Sequence, residues 1–132
     1  MRVDKKWLGG YCWDMAIALH EATSLPIFGL FDEHDVCHHA YVWDEQRKIA
    51  IDGRGSMTID ELIFDDRGRP CAGTIPRHLD REDIERQGGW LGRSIHDEEK
   101  REATRYIKKM GLIAEWIESN SMRVTRKLSA QS

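Results

Sequence analysis

The sequence is short of cysteine, with only Cys12, Cys37 and Cys71 among 132 residues. An odd and sparse set does not build a disulfide framework, so free thiols in a reducing, cytoplasmic setting are expected. No apolar run approaches the roughly 20 residues that span a bilayer, so no membrane partner is expected. The opening MRVDKKWLGG carries charge, but no apolar segment follows it, and a secretory leader is not expected. An excess of one charge is also missing. The net charge of −3 and a pI near 6.1 give no global pull towards nucleic acid or an anionic surface. There is no repeat, no coiled-coil heptad, no low-complexity tract and no glycine-rich phosphate loop; Gly53-Arg54-Gly55 is too short to count as one.

What remains is enough for one core. With 132 residues and 40% apolar content, a single α+β domain over residues 1–119 is expected. Residues 120–132 are polar and basic, with Arg123, Arg126 and Lys127, and read as a mobile tail.

The chemistry concentrates in residues 9–55. Cys12 follows Gly9 and Gly10 and opens a run with apolar residues at Cys12, Met15, Ala16, Leu19 and Ala22, one face of a helix to about Thr23. A thiol in a helix's first turn sits near unpaired N–H groups and the positive end of the dipole, which suits a nucleophile. Pro26 to Phe31 is a short apolar run that reads as a buried strand. His39 to Trp43 and Lys48 to Ile51 read as two further strands joined by a polar hairpin turn around Asp44 to Arg47, with Asp52 closing the second. A thiol needs a base and the base an orienting acceptor; Cys12, His39 and Asp52 arrive in an order that supplies both. His38 and His39 alternate across a strand, so only one can face Cys12. Asp52 also has a plainer reading as a turn residue binding local amides.

Gly10-Tyr11-Cys12-Trp13 resembles the G-x-C-W element around the nucleophile of papain-like proteases. HAYVWDEQRKIAIDGRG resembles the histidine-hairpin-aspartate segment of compact bacterial papain-like and transglutaminase-like domains. The resemblance implies a papain-like core in which a helix carrying the cysteine packs on a small antiparallel sheet. It also implies a cysteine-dependent acyl-transfer enzyme acting on an amide of a protein or peptide, as protease, deamidase or transglutaminase, without a cofactor. Cys12 would be nucleophile, His39 general base and acid, and Asp52 its orienter; the match to His-Ala-aromatic-Val favours His39 over His38. Papain-like proteases carry an oxyanion-binding glutamine six residues before the cysteine, and Lys6 stands there instead.

Two other readings compete. His34, Cys37, His38 or His39 and Cys71 are all zinc-ligand types, though without paired C-x-x-C spacing. A catalytically idle papain-like protein, acting as an inhibitor or effector by protein contact in a phage or bacterial conflict system, is the alternative function.

Later segments read as structure. Thr58 or Ser56 caps a short helix reaching Phe64, and residues 65–78 read as loop, with Cys71 an ordinary thiol. A short element is expected over Asp80 to Arg86. The loops 65–78 and 86–93, with Arg67, Arg69, Arg77, Trp90 and Arg93, are candidates for the rim of a substrate cleft, with solvated surface as the plainer and favoured reading. A long helix is expected from Ile95 to Ser119, capped by Ser94 with Asp97. Its stripe is Ala103, Tyr106, Ile107, Met110, Ala114 and Ile117, with Glu115 pointing away and Gly111 marking a bend. His20 reads as part of a core edge.

Overall fold

A computed structural model of the protein describes residues 12–64, 68–86 and 94–118. Lys6, Trp7 and the glycine pair, the 86–93 loop beyond Arg86 and the basic tail lie outside those residues, as does the Ser94 capping side chain. The chain runs α1 (Cys12–Thr23), β1 (Ile27–Phe31), β2 (Cys37–Asp44), β3 (Ile49–Asp52), β4 (Gly55–Met57), α2 (Ile59–Leu62), β5 (Ile75–Leu79), α3 (Arg81–Arg86) and α4 (Ser94–Met110). A further helix, α5, covers 112–118. The class is α+β, as expected from the sequence, with one antiparallel sheet in the order β4-β3-β2-β1-β5.

α1 is the central helix, buried at Cys12, Met15, Ala16, Ile17, Ala18 and Leu19 and packed between the sheet and α4. It ends where Thr23 and His20 turn inward to bond Leu19 O and Leu25 O, both at 2.7 Å, which is the structural role expected of His20. One face of the sheet, with Ala40, Val42, Ile49 and Ile51, joins α1 and α4 in the main core. The opposite face carries Leu30, Tyr41 and Ala50 and is covered by α2 through Leu62. Both strands of the β2–β3 hairpin are therefore buried on two sides, and their apolar run lacks a clean alternation.

β2 contains an irregularity that matters for the site. Leu30 pairs with His39 but Phe31 pairs with Cys37, so His38 is an extra residue, a β-bulge. Beyond the bulge the phase reverses. Cys37 packs with the α1-side core, while His39 shares the face of Tyr41, on whose ring it stacks at 6.5 Å.

Three expectations need correction. Residues 65–78 are not all loop, because Ile75–Leu79 pairs with β1 along its whole length. Four of its five residues are exposed and Pro76 sits within it, as an edge strand permits, so no hydrophobic pattern announced it. The short helix at Thr58 has the capping box, with Glu61 N bonding Thr58 Oγ1 at 3.2 Å, but it stops at Leu62. The last helix breaks at Gly111, whose φ of +66° is left-handed. α5 therefore starts in a new phase: Leu112 and Trp116 turn inward, Ala114 and Ile117 are exposed, and Glu115 reaches Ser56 N at 2.9 Å instead of pointing away.

Candidate functional site

The three residues singled out from the sequence come together. His39 Nε2 donates to Asp52 Oδ2 at 2.9 Å, and the Cys12 side chain is near enough to the same imidazole to help raise its pKa. All three are buried, at 5% exposure for Cys12, 6% for His39 and 1% for Asp52. The register explains the meeting. β3 pairs Ile51 with Val42 and Ala50 with Trp43, so Asp52 continues the face of Ala50, on which His39 and Tyr41 also lie. Cys12 is delivered separately, as the first residue of α1, from the layer packed on β2.

Asp52 is held by more than His39. Between β3 and β4 a two-residue turn, Gly53-Arg54, brings Arg54 back over the carboxylate. Arg54 N bonds Asp52 Oδ1 at 2.7 Å, and the guanidinium reaches Oδ2 through Nη2 at 2.8 Å and Nε at 3.1 Å. The turn reading of Asp52 is thus true alongside the imidazole contact. Arg54 also donates to Leu62 O at 3.0 Å and to Phe64 O, fastening the end of α2 to the site. The sequence reading missed Arg54. The signal was in the D-x-R-G string, since a carboxylate two residues before an arginine across a tight turn is placed for a bidentate clamp.

Burial alone would push the His39 pKa down. The hydrogen bond to Asp52, the contact with Cys12 and the charge of Asp52 outweigh it and raise the value to about 9. For Asp52, burial opposes ionisation, and His39 and Arg54 together overcome it and hold the carboxyl below its usual range. The imidazole is therefore cationic at neutral pH beside an ionised carboxylate.

The other candidate ligands diverge. His38, on the far side of the bulge, bonds Asp32 Oδ2 at 2.7 Å. Cys37 points its thiol at His39 O at 3.6 Å, and burial pushes that thiol up to about 12. Among the described residues no group of three His, Cys, Asp or Glu side chains is arranged to hold a metal ion, so the zinc reading lacks its cluster. No helix among them is long and apolar enough to cross a membrane.

Beside His39 opens a cavity of about 190 Å³, lined among the described residues by Arg54, Leu62, Ile63, Phe64, Pro70 and Cys71 as well as His38, His39 and Arg69. Gly73 lets the 68–74 segment cross β1 closely; a Cβ there would lie 2.5 Å from Leu30 O. No protein-family model matches the chain, and neither a curated protein nor a solved structure matches it.

Proposed function

We propose that this chain is a papain-like or transglutaminase-like thiol acyl-transferase acting on an amide of a protein or peptide. The observation that carries the proposal is one buried imidazole bonded to Asp52 at 2.9 Å, with the Cys12 side chain near enough to help raise its pKa. A general base with its own orienter, within reach of a thiol at a helix start, is the arrangement nucleophilic acyl transfer requires.

In the proposed reaction His39 holds the proton lost by Cys12, and the thiolate sulfur bonds to the amide carbonyl carbon. As the C–N bond breaks, His39 gives its proton to the leaving nitrogen and a thioester to Cys12 remains. Water or an amine then attacks the thioester carbon, passes its proton to His39 and releases Cys12. Asp52 keeps the imidazole in the tautomer and orientation both steps need, and Arg54 keeps Asp52 ionised when His39 is neutral. The identity of the leaving nitrogen separates peptide hydrolysis from deamidation, and attack by an amine instead of water gives amine transfer.

Alkylation by iodoacetamide at pH 7, read peptide by peptide by mass spectrometry, tests the proposal. Cys12 should react faster than Cys37 and Cys71, and His39→Ala should remove that advantage. Equal rates for all three thiols in the parent, or a Cys12 rate indifferent to His39, would sink it.

The burial of Cys12 favours a second reading, a binding protein that keeps the fold and not the catalysis and acts as an inhibitor or effector. In that case Cys12 is inert, and a tight complex with a protein target survives Cys12→Ala unchanged.

A further inference from the structure

The β3–β4 turn carries both Asp52 and Arg54, and it is held from outside the hairpin. Tyr106, on α4, donates its hydroxyl to Gly53 O at 2.9 Å across 53 residues of chain. We infer that Tyr106 is a positioning residue for the pair formed by His39 and Asp52, acting through the single peptide group that joins Gly53 to Arg54. Its effect on Cys12 rests on the acyl-transfer reading; its coupling to His39 rests on the hydrogen bonds.

A peptide group is planar and trans, so its C=O and N–H point in opposite directions and cannot turn independently. In the peptide between Gly53 and Arg54 the oxygen receives the Tyr106 hydroxyl, and the N–H at the other end donates to Asp52 Oδ1 at 2.7 Å. Asp52 then presents Oδ2 to His39 Nε2 at 2.9 Å. Phenol, peptide, carboxylate and imidazole form one chain of hydrogen bonds, and each bond in such a chain polarises the next. The Arg54 guanidinium does not replace the N–H. Oδ1 takes its shortest bond from Arg54 N, at 2.7 Å against 3.3 Å from Nε, so the peptide fixes the oxygen turned away from His39 and thereby aims the other.

The turn needs an anchor of this kind. Asp52 pairs with Gly55, which leaves Gly53 and Arg54 at the tip, and turn types differ in the way the peptide between those two central residues faces. Facing the other way, the Arg54 N–H would leave Asp52 Oδ1. Tyr106 holds the orientation that keeps it there. α5 steadies the far side of the turn: Glu115 Oε1 accepts from Ser56 N at 2.9 Å and lies 2.6 Å from where a Cβ on Gly55 would stand. Connecting turns generally stand in solvent; this one is tied to helices 53 and 59 residues further along the chain.

Among the described residues, the titratable and charged groups around His39 are Asp52 from β3, Cys12 from α1, and His38, Arg54, Arg69 and Cys71 around the adjoining cavity. Tyr106→Phe removes none of them. A shift of the His39 midpoint in that variant therefore reports the aim of Asp52 and not a lost charge.

The test is Tyr106→Phe in the full isotope-labelled chain, followed by NMR. The variant deletes one oxygen and keeps the ring that packs on the main core. Trp116→Phe is the control, since it removes a comparable bond, Trp116 Nε1 to Asp44 Oδ2 at 3.1 Å, from the neighbouring β2–β3 turn. In Tyr106→Phe the Arg54 amide should exchange with solvent about fivefold faster or more, and the His39 midpoint should fall by about half a unit or more, each the size of one net hydrogen bond. Cys12 alkylation should slow several-fold. Trp116→Phe should move neither NMR readout, and a purely structural Tyr106 would lower stability without moving them. Should Tyr106→Phe fail to fold, the parent gives a second check. Its Arg54 amide should exchange at least about tenfold more slowly than that of Gln46 in the exposed β2–β3 turn, as a bond to a charged acceptor requires. An Arg54 amide or a His39 midpoint that Tyr106→Phe leaves in place, equal movement in Trp116→Phe, or an Arg54 amide as fast as Gln46 in the parent overturns the inference. Parent alkylation separates the two ideas. A midpoint that falls in Tyr106→Phe while the parent Cys12 is inert keeps the coupling and removes the chemistry. A reactive, His39-dependent Cys12 with an unmoved midpoint removes the coupling and keeps the chemistry.

Discussion

Replacing Asp52 by asparagine removes the carboxylate that His39 and Arg54 share while keeping the shape of the side chain. The His39 pKa of about 9, against an ordinary 6.5, corresponds to roughly 3 kcal/mol of preference for the charged imidazole. Burial works against that preference, so without Asp52 the His39 midpoint should fall close to or below 6.5. The imidazole ring signals, followed by ¹H–¹³C NMR against pH and assigned with His39→Gln, report this directly. The same group links pH to stability. Its folded-state pKa lies above the unfolded value, so its contribution is complete below about pH 6.5 and is lost as the pH rises through about 9. In urea unfolding the parent should therefore lose up to roughly 3 kcal/mol more than Asp52→Asn across that window. At pH 7 the variant should be less stable by about 3–5 kcal/mol, because His39 and Arg54 are left facing a neutral amide in a buried place. A parent His39 that titrates near 6.5, or a midpoint unmoved by Asp52→Asn, refutes the reasoning.

Other outcomes follow from single contacts. Arg54→Met should slow Cys12 alkylation about tenfold or more, and Arg54→Lys should recover part of the rate, since it restores the charge but not the bidentate clamp. Tyr41 is wholly buried and its hydroxyl has no partner among the described residues, so Tyr41→Phe should leave stability unchanged or raise it by up to about 1 kcal/mol in chemical denaturation. Gly73→Ala should cost about 1–3 kcal/mol, because its Cβ meets the Leu30 carbonyl at 2.5 Å and a backbone atom cannot step aside; a neutral result would show that the crossing is looser than described.

Much of the site was legible because it rests on local pattern. The Cys12 helix shows its period, the β2–β3 hairpin shows two β-rich runs around a polar turn, and the pairing of His39 with Asp52 follows once those strands are adjacent. Other features were hidden where local pattern carries no signal. β5 takes its conformation from the β1 edge, and its exposed residues leave only backbone pairing to define it. The phase change at Gly111 is a backbone event, which left Ala114 and Ile117 continuing a stripe that the fold does not continue. The bulge at His38 is likewise invisible in composition, although it is what turns Cys37 and His39 to opposite faces. Arg54 was read only as part of a short glycine string, because its role depends on a carboxylate and two carbonyls that converge through the tight turn.

The contacts of α4 and α5 with the hairpins set an order of assembly. Tyr106 donates to Gly53 O at 2.9 Å, Glu115 accepts from Ser56 N at 2.9 Å, and Trp116 donates to Asp44 Oδ2 at 3.1 Å, across separations of 53, 59 and 72 residues. On a ribosome, Cys12, His39 and Asp52 are all synthesised well before the residues that steady the turns between them. Long-range closures of this kind are slow relative to local helix and hairpin formation. A nascent chain therefore carries its thiol and imidazole in a loosely held hairpin until residue 116 has emerged, and the site acquires its final geometry last.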